Sequence, residues 1–376
     1  MRLPSRRVRA LGLTLAALAL SACGRTEHTA IADPIAITYD GGIYLLDGRN
    51  LAVTDRIKLA GFNRVSAAGD DRHIIVSTKD GFRALDAVRA AMTDIAYPAE
   101  KPGHVVRHAG RTVLFADGTG EVTIVDPHDL GGTKQTYRTA SPHHGVAVRL
   151  ANGDLVVTLG TDEKRTGVQV LDSARREIAR SEDCPGVHGE SVVQGETVVI
   201  GCENGALIYR AGALTKVAGP TPYSRIGTQA GSDASPIALG DLKQDRDAEL
   251  ERPQQVSLID TREGRIRTVP LGTSYTFRSL ARGPQGEGLV LGTDGRIHVI
   301  DPIAGKVVRT IPVIAPWEEP LRWQEPRPAL FARGGDLYVT DTAAKKVHRV
   351  DLNSGAITAT AELPQTPNEL SGVVEH

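Results

Sequence analysis

Short hydrophobic runs with polar residues at alternate positions recur along the chain, and a turn containing Asp-Gly or a similar pair interrupts each of them. Such a run, a tight turn and a second run ending mostly in Asp are the pattern of a β-hairpin. Clear copies occupy 35–47, 74–86, 113–126, 155–172, 198–210, 289–301 and 337–351. A weaker copy with a long insertion spans 236–260. The pattern predicts an all-β protein.

The hairpins are spaced regularly. Their closing residues lie 37 to 51 residues apart and are Asp47, Asp86, Asp126, Asp172, Tyr209, Asp260, Asp301 and Asp351. Four short strands fill a repeat of roughly 40 to 50 residues, which is the length of a β-propeller blade. We therefore predict a single β-propeller domain over 35–376. It should have eight four-stranded blades, or seven if the weak copy at 236–260 is an insertion.

The two ends of the chain are predicted to close the ring. A further strand precedes most hairpins and begins, for example, at His104, His188 or Arg278. The first hairpin has no such strand before it, whereas the C-terminal segment 368–374 resembles this strand and has no hairpin after it. Pairing of these ends would make one composite blade.

Composition narrows the classes of function. The 44 basic and 45 acidic residues nearly cancel, which argues against a nucleic-acid binder held by phosphate charge. Only 5 Phe, 2 Trp and 2 Met are present, which argues against an aromatic-lined ligand cleft. The chain has no Gly-x-Ser-x-Gly elbow, phosphate loop or HExxH motif. We expect a binding protein rather than an enzyme.

The N terminus is typical of a bacterial lipoprotein. A basic start is followed by an apolar run at 11–20, which is too short for a stable membrane span, and then by Leu-Ser-Ala-Cys ending at Cys23. This resembles a lipobox; an ordinary signal peptide with an accidental cysteine is the alternative. We expect a signal peptide at 1–22, a lipid on Cys23 and a flexible linker at 23–34. The domain would then lie outside the cytoplasm, anchored to the membrane of the cell envelope.

Two further cysteines, Cys184 and Cys202, fall within the predicted domain. Because an exported protein meets an oxidising compartment, a disulfide is the favoured interpretation. A thiolate metal site is the competing one.

Histidine occurs at one repeated position. Three consecutive blades begin their inner strand with His104, His144 and His188. Inner strands line the channel, so three imidazoles are expected to meet at one mouth, where they would suit zinc. Glu190 shares a strand face with His188 and is a weaker ligand candidate or an acceptor for an imidazole N–H. His143 is also weaker, because it should face the other side; solvated histidines are the plain alternative for the whole set.

Several of these segments match known families. The last full repeat, 334–370, looks like the YVTN-type propeller repeat. The run TASPHHGVAV, followed by CPGVHGE and VIGCENG, resembles the AztD-type zinc metallochaperones, and it is sharpest over 141–204 within a resemblance that covers 35–374.

The resemblance to the AztD type implies a function. It implies an extracytoplasmic protein that binds zinc and passes it to the solute-binding protein of a zinc ABC importer. It further implies that zinc is held by His104, His144 and His188, and that Cys184 and Cys202 form the family's disulfide.

Two features depart from the family pattern. The segment GRTEHTAIADP offers only His28, Glu27 and Asp33 where the family commonly has a stretch rich in His and Asp, which argues against a second zinc site. The C-terminal strand carries Asn368 where the family tends to have His, and Asn is a poor zinc ligand. The chain is accordingly a zinc binder with a changed handover or a relative without the metal.

Two alternatives to a zinc protein remain. One is a scaffold lipoprotein without metal, whose loops at 241–252 and 315–328 contact an envelope partner or simply cover the propeller face. The other is a propeller lactonase with a channel set of Glu190, Asn368 and Asn63. In each case we expect a monomer.

Overall fold

The computed structural model describes residues 30–374. The signal segment and Cys23 therefore lie outside the described residues, as do Glu27 and His28. In the described part, 32 strands form eight four-stranded antiparallel sheets, and one short 3₁₀ turn occurs at Pro127–Asp129. None of the helical structure in this range is long and apolar enough to cross a membrane.

Blade 1 is composite and consists of Ile35–Tyr39 (β1), Gly42–Leu46 (β2), Val53–Lys58 (β3) and Leu370–Gly372 (β32). Blade 2 consists of Arg64–Ala67 (β4), His73–Thr78 (β5), Gly81–Asp86 (β6) and Ala91–Pro98 (β7). Blade 3 consists of Pro102–His108 (β8), Arg111–Ala116 (β9), Glu121–Val125 (β10) and Gln135–Arg138 (β11). Blade 4 consists of Ala147–Arg149 (β12), Leu155–Gly160 (β13), Arg165–Leu171 (β14) and Glu177–Ser181 (β15).

Blade 5 consists of His188–Val193 (β16), Thr197–Cys202 (β17), Gly205–Arg210 (β18) and Ala213–Ala218 (β19). Blade 6 consists of Gln229–Ala230 (β20), Ile237–Gly240 (β21), Gln255–Asp260 (β22) and Arg265–Pro270 (β23). Blade 7 consists of Leu280–Arg282 (β24), Gly288–Leu291 (β25), Arg296–Asp301 (β26) and Lys306–Pro312 (β27). Blade 8 consists of Leu330–Arg333 (β28), Asp336–Asp341 (β29), Lys346–Asp351 (β30) and Ile357–Glu362 (β31).

The predicted closure of the ring is confirmed. β32 pairs antiparallel with β1, with Gly372 opposite Ile35 and Leu370 opposite Ile37. The weak repeat at 236–260 provides β21 and β22, the middle strands of blade 6, so the blade number is eight rather than seven.

The position of a strand in its blade explains its hydrophobic pattern. Middle strands such as β2 (GIYLL) and β17 (TVVIGC) are buried at every residue, because neighbouring blades pack on both of their faces. The outermost strand β3 (VTDRIK) alternates between half-buried and exposed residues, since one of its faces meets solvent. The core therefore consists of apolar layers between adjacent blades.

The packed part of the chain begins before the first strand. Ile31 is buried in the core layer beside blade 2, and its backbone N–H donates to the carbonyl of Val88 at 2.9 Å. Asp33 forms an ion pair with Arg49 at 2.8 Å. The segment 30–34, which the sequence assigns to a flexible linker, is thus docked on the ring, because burying Ile31 there removes an apolar side chain from water.

Cys184 and Cys202 form a disulfide that joins the segment before β16 to the end of β17, and both residues are fully buried. They are 18 residues apart in sequence, and the loop they close contains the inner strand of blade 5. The bond therefore fixes the base of the strand that begins with His188.

Replacing Cys184 and Cys202 together with alanine is expected to lower the free energy of unfolding by about 3 kcal/mol, because the unfolded chain regains the freedom that a loop of this length loses. Denaturant titration of the oxidised protein and the double variant, both with Cys23→Ser, measures the difference. Wild type under reducing conditions should match the variant; a difference below about 1 kcal/mol would contradict the prediction.

Candidate metal centre

His104, His144 and His188 meet at one mouth of the propeller. They line a cavity of about 460 Å³, which we call the funnel. They come from three consecutive blades: His104 lies within β8, His144 precedes β12, and His188 begins β16. The predicted convergence of these three side chains is what the structure shows. The three histidines occupy corresponding places on the funnel wall. They differ in where they lie relative to the boundaries of their strands.

The spacing of the three rings suits a single metal ion. Ring centroids are 5.2 Å apart for His104 and His144, 5.3 Å for His104 and His188, and 4.9 Å for His144 and His188. One nitrogen from each lies within 4.8 Å of the others, and Nε2 of His144 is 3.0 Å from Nε2 of His188. Zinc–nitrogen bonds of 2.0–2.1 Å place tetrahedral ligands about 3.3 Å apart. The three nitrogens therefore lie near the spacing that one tetrahedral metal ion requires.

Each imidazole also has an oxygen close to Nδ1. His144 Nδ1 lies 2.5 Å from Oδ2 of Asp117, and His188 Nδ1 lies 2.6 Å from the carbonyl oxygen of Gly227. His104 Nδ1 is 3.6 Å from Oε2 of Glu190, which is ion-pair distance rather than a hydrogen bond. An acceptor on Nδ1 fixes the tautomer and leaves Nε2 free for a metal, which is the usual outer arrangement of zinc-binding histidines.

A glycine and a buried carboxylate set the local geometry around His188. Gly189 follows it with φ of +71° at a bulge in the pairing of β16 with β17, and a Cβ there would meet the Gly227 carbonyl oxygen at 2.5 Å. Only glycine fits this position without strain. The buried Asp241 accepts hydrogen bonds from the N–H groups of Gly227 and Thr228, at 2.6 and 3.0 Å, and so holds the carbonyl against the imidazole.

Burial keeps the ligand candidates in the form that binds metal. Burial, and after it the nearby charges of His144, Arg225 and Arg165, lower the pKa of His188 to about 3, against the hydrogen bond that its Nδ1–H donates to the Gly227 carbonyl. Burial, followed by the charges of His188 and His144, holds the pKa of His104 well below its usual range. Both imidazoles are neutral at neutral pH, with a lone pair available for a cation.

The two weaker candidates fall in different places. Glu190 lines the funnel beside His104, and burial raises its pKa to about 8. His143 points away: its Nδ1 is 2.9 Å from the Ser141 carbonyl, its Nε2 is 3.0 Å from Thr158 Oγ1, and the ring is buried. Both nitrogens of His143 are committed, as its position on the opposite face predicts.

The hypothetical lactonase set does not assemble in this funnel. Asn63 uses its side-chain amide on the carbonyls of Leu59 and Gly61, at 3.2 and 3.0 Å. The amide of Asn368 is bound to Arg278 and to the carbonyl of Gln324. Neither asparagine lines the cavity that contains Glu190.

The loop at 315–328 covers part of the mouth. Arg327, which is 1% exposed, donates to Oε1 of the buried Glu319 at 2.6 Å, and Trp317 Nε1 donates to the Gly292 carbonyl at 3.1 Å. Trp323 lines the funnel, remains half exposed and packs edge-on against Phe62 at 5.1 Å. The loop is therefore a packed cover with one aromatic pair at its rim.

No protein-family model matches this chain. Over 268 residues it is 26% identical to the zinc chaperone AztD of Citrobacter koseri. The resemblance to AztD is thereby confirmed. The match covers 68% of this chain and 61% of AztD, so it spans less than two thirds of the relative's length.

Solved structures show that AztD and this chain share a fold. Apo AztD from Citrobacter koseri superposes with a TM-score of 0.77 at 20% identity, over 90% of this chain and 96% of that one. A second crystal structure of Citrobacter koseri AztD superposes with a TM-score of 0.76 at 20% identity, over 91% of this chain and 98% of that one. The dihydro-heme d1 dehydrogenase NirN superposes with a TM-score of 0.63 at 12% identity, over 94% of this chain and 78% of that one. It shares the fold alone.

Two parts of the site were missed from the sequence. Asp117 lies in the hairpin turn of blade 3, and Gly227 lies in the segment that leads into blade 6. Neither has a sequence signal beyond an acidic residue in a repeated turn and a glycine in a loop. They reach His144 and His188 only because neighbouring blades are packed side by side.

Proposed function

We propose that this chain binds a single zinc ion with His104, His144 and His188 and delivers it, as a metallochaperone outside the cytoplasm, to the solute-binding protein of a zinc ABC importer. Zinc is the cargo here, so the protein's task is binding and transfer rather than catalysis. The observation that carries the proposal is the convergence of three imidazoles, from three blades, at one mouth of the ring.

Homology supports the same reading. The relative over 268 residues is a zinc chaperone, and the shared fold extends over nine tenths of the chain. The disulfide between Cys184 and Cys202 fits an oxidising compartment. Lipid attachment at Cys23, which would tether the propeller to the envelope membrane, belongs to the proposal on the strength of the N-terminal sequence.

The geometry favours release as well as binding. Three nitrogens leave one position of a tetrahedral zinc shell free, and structural zinc sites normally close that position with a fourth protein ligand. The side chain of His144 is 44% exposed against 21% for His104, so one ligand stands toward the solvent side of the funnel. An incoming ligand can therefore bind before a resident one leaves.

The first test is zinc stoichiometry and affinity on the protein beginning at residue 24, purified free of metal. We expect one zinc per chain, held at nanomolar Kd or tighter in competition with a chromophoric chelator. Binding no stronger than that of scattered surface histidines, or a stoichiometry well above one, would contradict the proposal and favour a scaffold lipoprotein.

A further inference from the structure

Basic residues form part of the funnel wall. Arg225 and Lys243 line it and face each other through a short antiparallel bridge, with Arg225 N–H to the Lys243 carbonyl at 2.8 Å and the reverse bond at 2.9 Å. Residues directly opposite in such a bridge carry their side chains on the same side. Arg64, at the start of β4, is a third basic residue of the cavity.

The basic wall and the histidine site share one piece of backbone. Gly227, whose carbonyl contacts His188, lies two residues after Arg225. Asp241, whose carboxylate holds Gly227 and Thr228, lies two residues before Lys243. The backbone from which both basic side chains project is therefore held next to the contacts that orient His188.

The acidic groups of this wall already have partners. Asp241 accepts from two backbone N–H groups, and Glu251 accepts from the N–H groups of Gln244 and Asp245 at 2.7 and 3.0 Å. Glu319 is paired with Arg327 at 2.6 Å. The carboxylates near the two bases are thus committed to other donors.

The basic groups are not matched in the same way. Lys243 Nζ has neither a hydrogen bond nor an ion pair within residues 30–374, and the guanidinium of Arg225 donates only to the Gly186 carbonyl at 3.3 Å in that range. Arg64 lies 3.4 Å from Glu369. Arg225 and Lys243 are thus neighbouring cationic side chains without a carboxylate at ion-pair distance in that range.

Two neighbouring cationic side chains without an ion-pair partner can receive an anion through charge-assisted hydrogen bonds. A carboxylate oxygen is a good zinc ligand, and the histidine site has one open position. We propose that the funnel is a carboxylate-binding site. A carboxylate would enter between Arg225 and Lys243 and coordinate the zinc as its fourth ligand, whether it belongs to an acidic side chain of the acceptor or to a free carboxylic acid.

This inference rests on the proposed zinc site, and Co²⁺ provides a test that separates the two. Bound Co²⁺ has visible absorption bands that respond to its ligands. Acetate is titrated into the Co²⁺-loaded protein at constant ionic strength, and a saturable spectral change is expected. In Lys243→Gln, the acetate concentration at half-saturation should rise roughly tenfold, because a charge-assisted contact is lost. Co²⁺ affinity should stay within about twofold of wild type.

The matched control is Lys58→Gln, which removes an exposed lysine from the outer strand β3 and should leave the acetate response unchanged.

A capped peptide with one glutamate then identifies the source of the carboxylate. Saturation at a lower concentration than acetate assigns the ligand to a protein segment, and equal or weaker saturation assigns it to free carboxylates. A Co²⁺ spectrum that does not respond to acetate, or an unchanged response in Lys243→Gln, would overturn the inference while the zinc site stands. Failure to bind Co²⁺ and Zn²⁺ at all would overturn the proposed function instead.

Discussion

Replacing His104, His144 and His188 together with alanine is expected to abolish tight zinc binding. Four-ligand zinc sites have apparent binding free energies of about 10–16 kcal/mol, which is roughly 3 kcal/mol for each ligand. Each single alanine variant should therefore weaken zinc binding by roughly a hundredfold. Chelator competition on metal-free protein measures these affinities.

The control for the histidine variants is His128→Ala, which removes an exposed histidine from the 3₁₀ turn and should keep wild-type affinity. Far-ultraviolet circular dichroism and thermal unfolding of the metal-free variants confirm that the fold is retained. The triple variant binding zinc as tightly as wild type would refute the assignment of the site. A loss confined to one or two of the three positions would instead mean that another group, such as Glu190, takes part.

The second large effect concerns stability. Glu319→Ala is expected to lower the free energy of unfolding by about 3–5 kcal/mol, because it leaves the guanidinium of Arg327 buried without its counter-charge. Arg327 is 1% exposed and Glu319 is 6% exposed, so water cannot replace the lost carboxylate without opening the loop at 315–328. Urea denaturation of wild type and variant provides the comparison.

The neighbouring residue offers a matched control. Glu318 is 84% exposed at its side chain and pairs with the surface Arg252 at 3.2 Å, so Glu318→Ala should change stability by less than about 1 kcal/mol. The double variant Glu319→Leu with Arg327→Met, which removes both charges, should recover part of the loss. Equal effects of Glu318→Ala and Glu319→Ala would show that the buried pair does not stabilise the loop.

The architecture was predictable from the sequence because its signals are local. Alternation of apolar and polar residues, the glycine-containing turns and the spacing of the closing aspartates identify hairpins and blades without knowledge of distant contacts. The unpaired first hairpin and the isolated C-terminal strand at 368–374 were enough to predict the closure that β1 and β32 make. The weak repeat at 236–260 left seven and eight blades open, since its long insertion hides the second strand of the hairpin.

The candidate site was predictable only in part. Histidines that recur at matching places in three repeats identified His104, His144 and His188, since equivalent places in neighbouring blades lie side by side around the channel. The same reasoning put Glu190 on the strand face of His188, as a weaker ligand candidate or an acceptor for an imidazole N–H, whereas the structure places its Oε2 3.6 Å from Nδ1 of His104. The sequence assigned residues 30–34 to a flexible linker, whereas Ile31 packs in an apolar layer that local sequence does not reveal.

The sequence by itself determined the hairpins, the propeller repeat, the closure of the ring and the three histidines, because each depends on periodicity or on neighbouring residues. The tertiary structure alone decided what surrounds those histidines. Asp117 meets His144 across 27 residues of chain, and the Gly227 carbonyl meets His188 across 39. The basic pair Arg225 and Lys243 is formed in the same way, because contacts between blades depend on how whole sheets pack and not on the order of residues within any one of them.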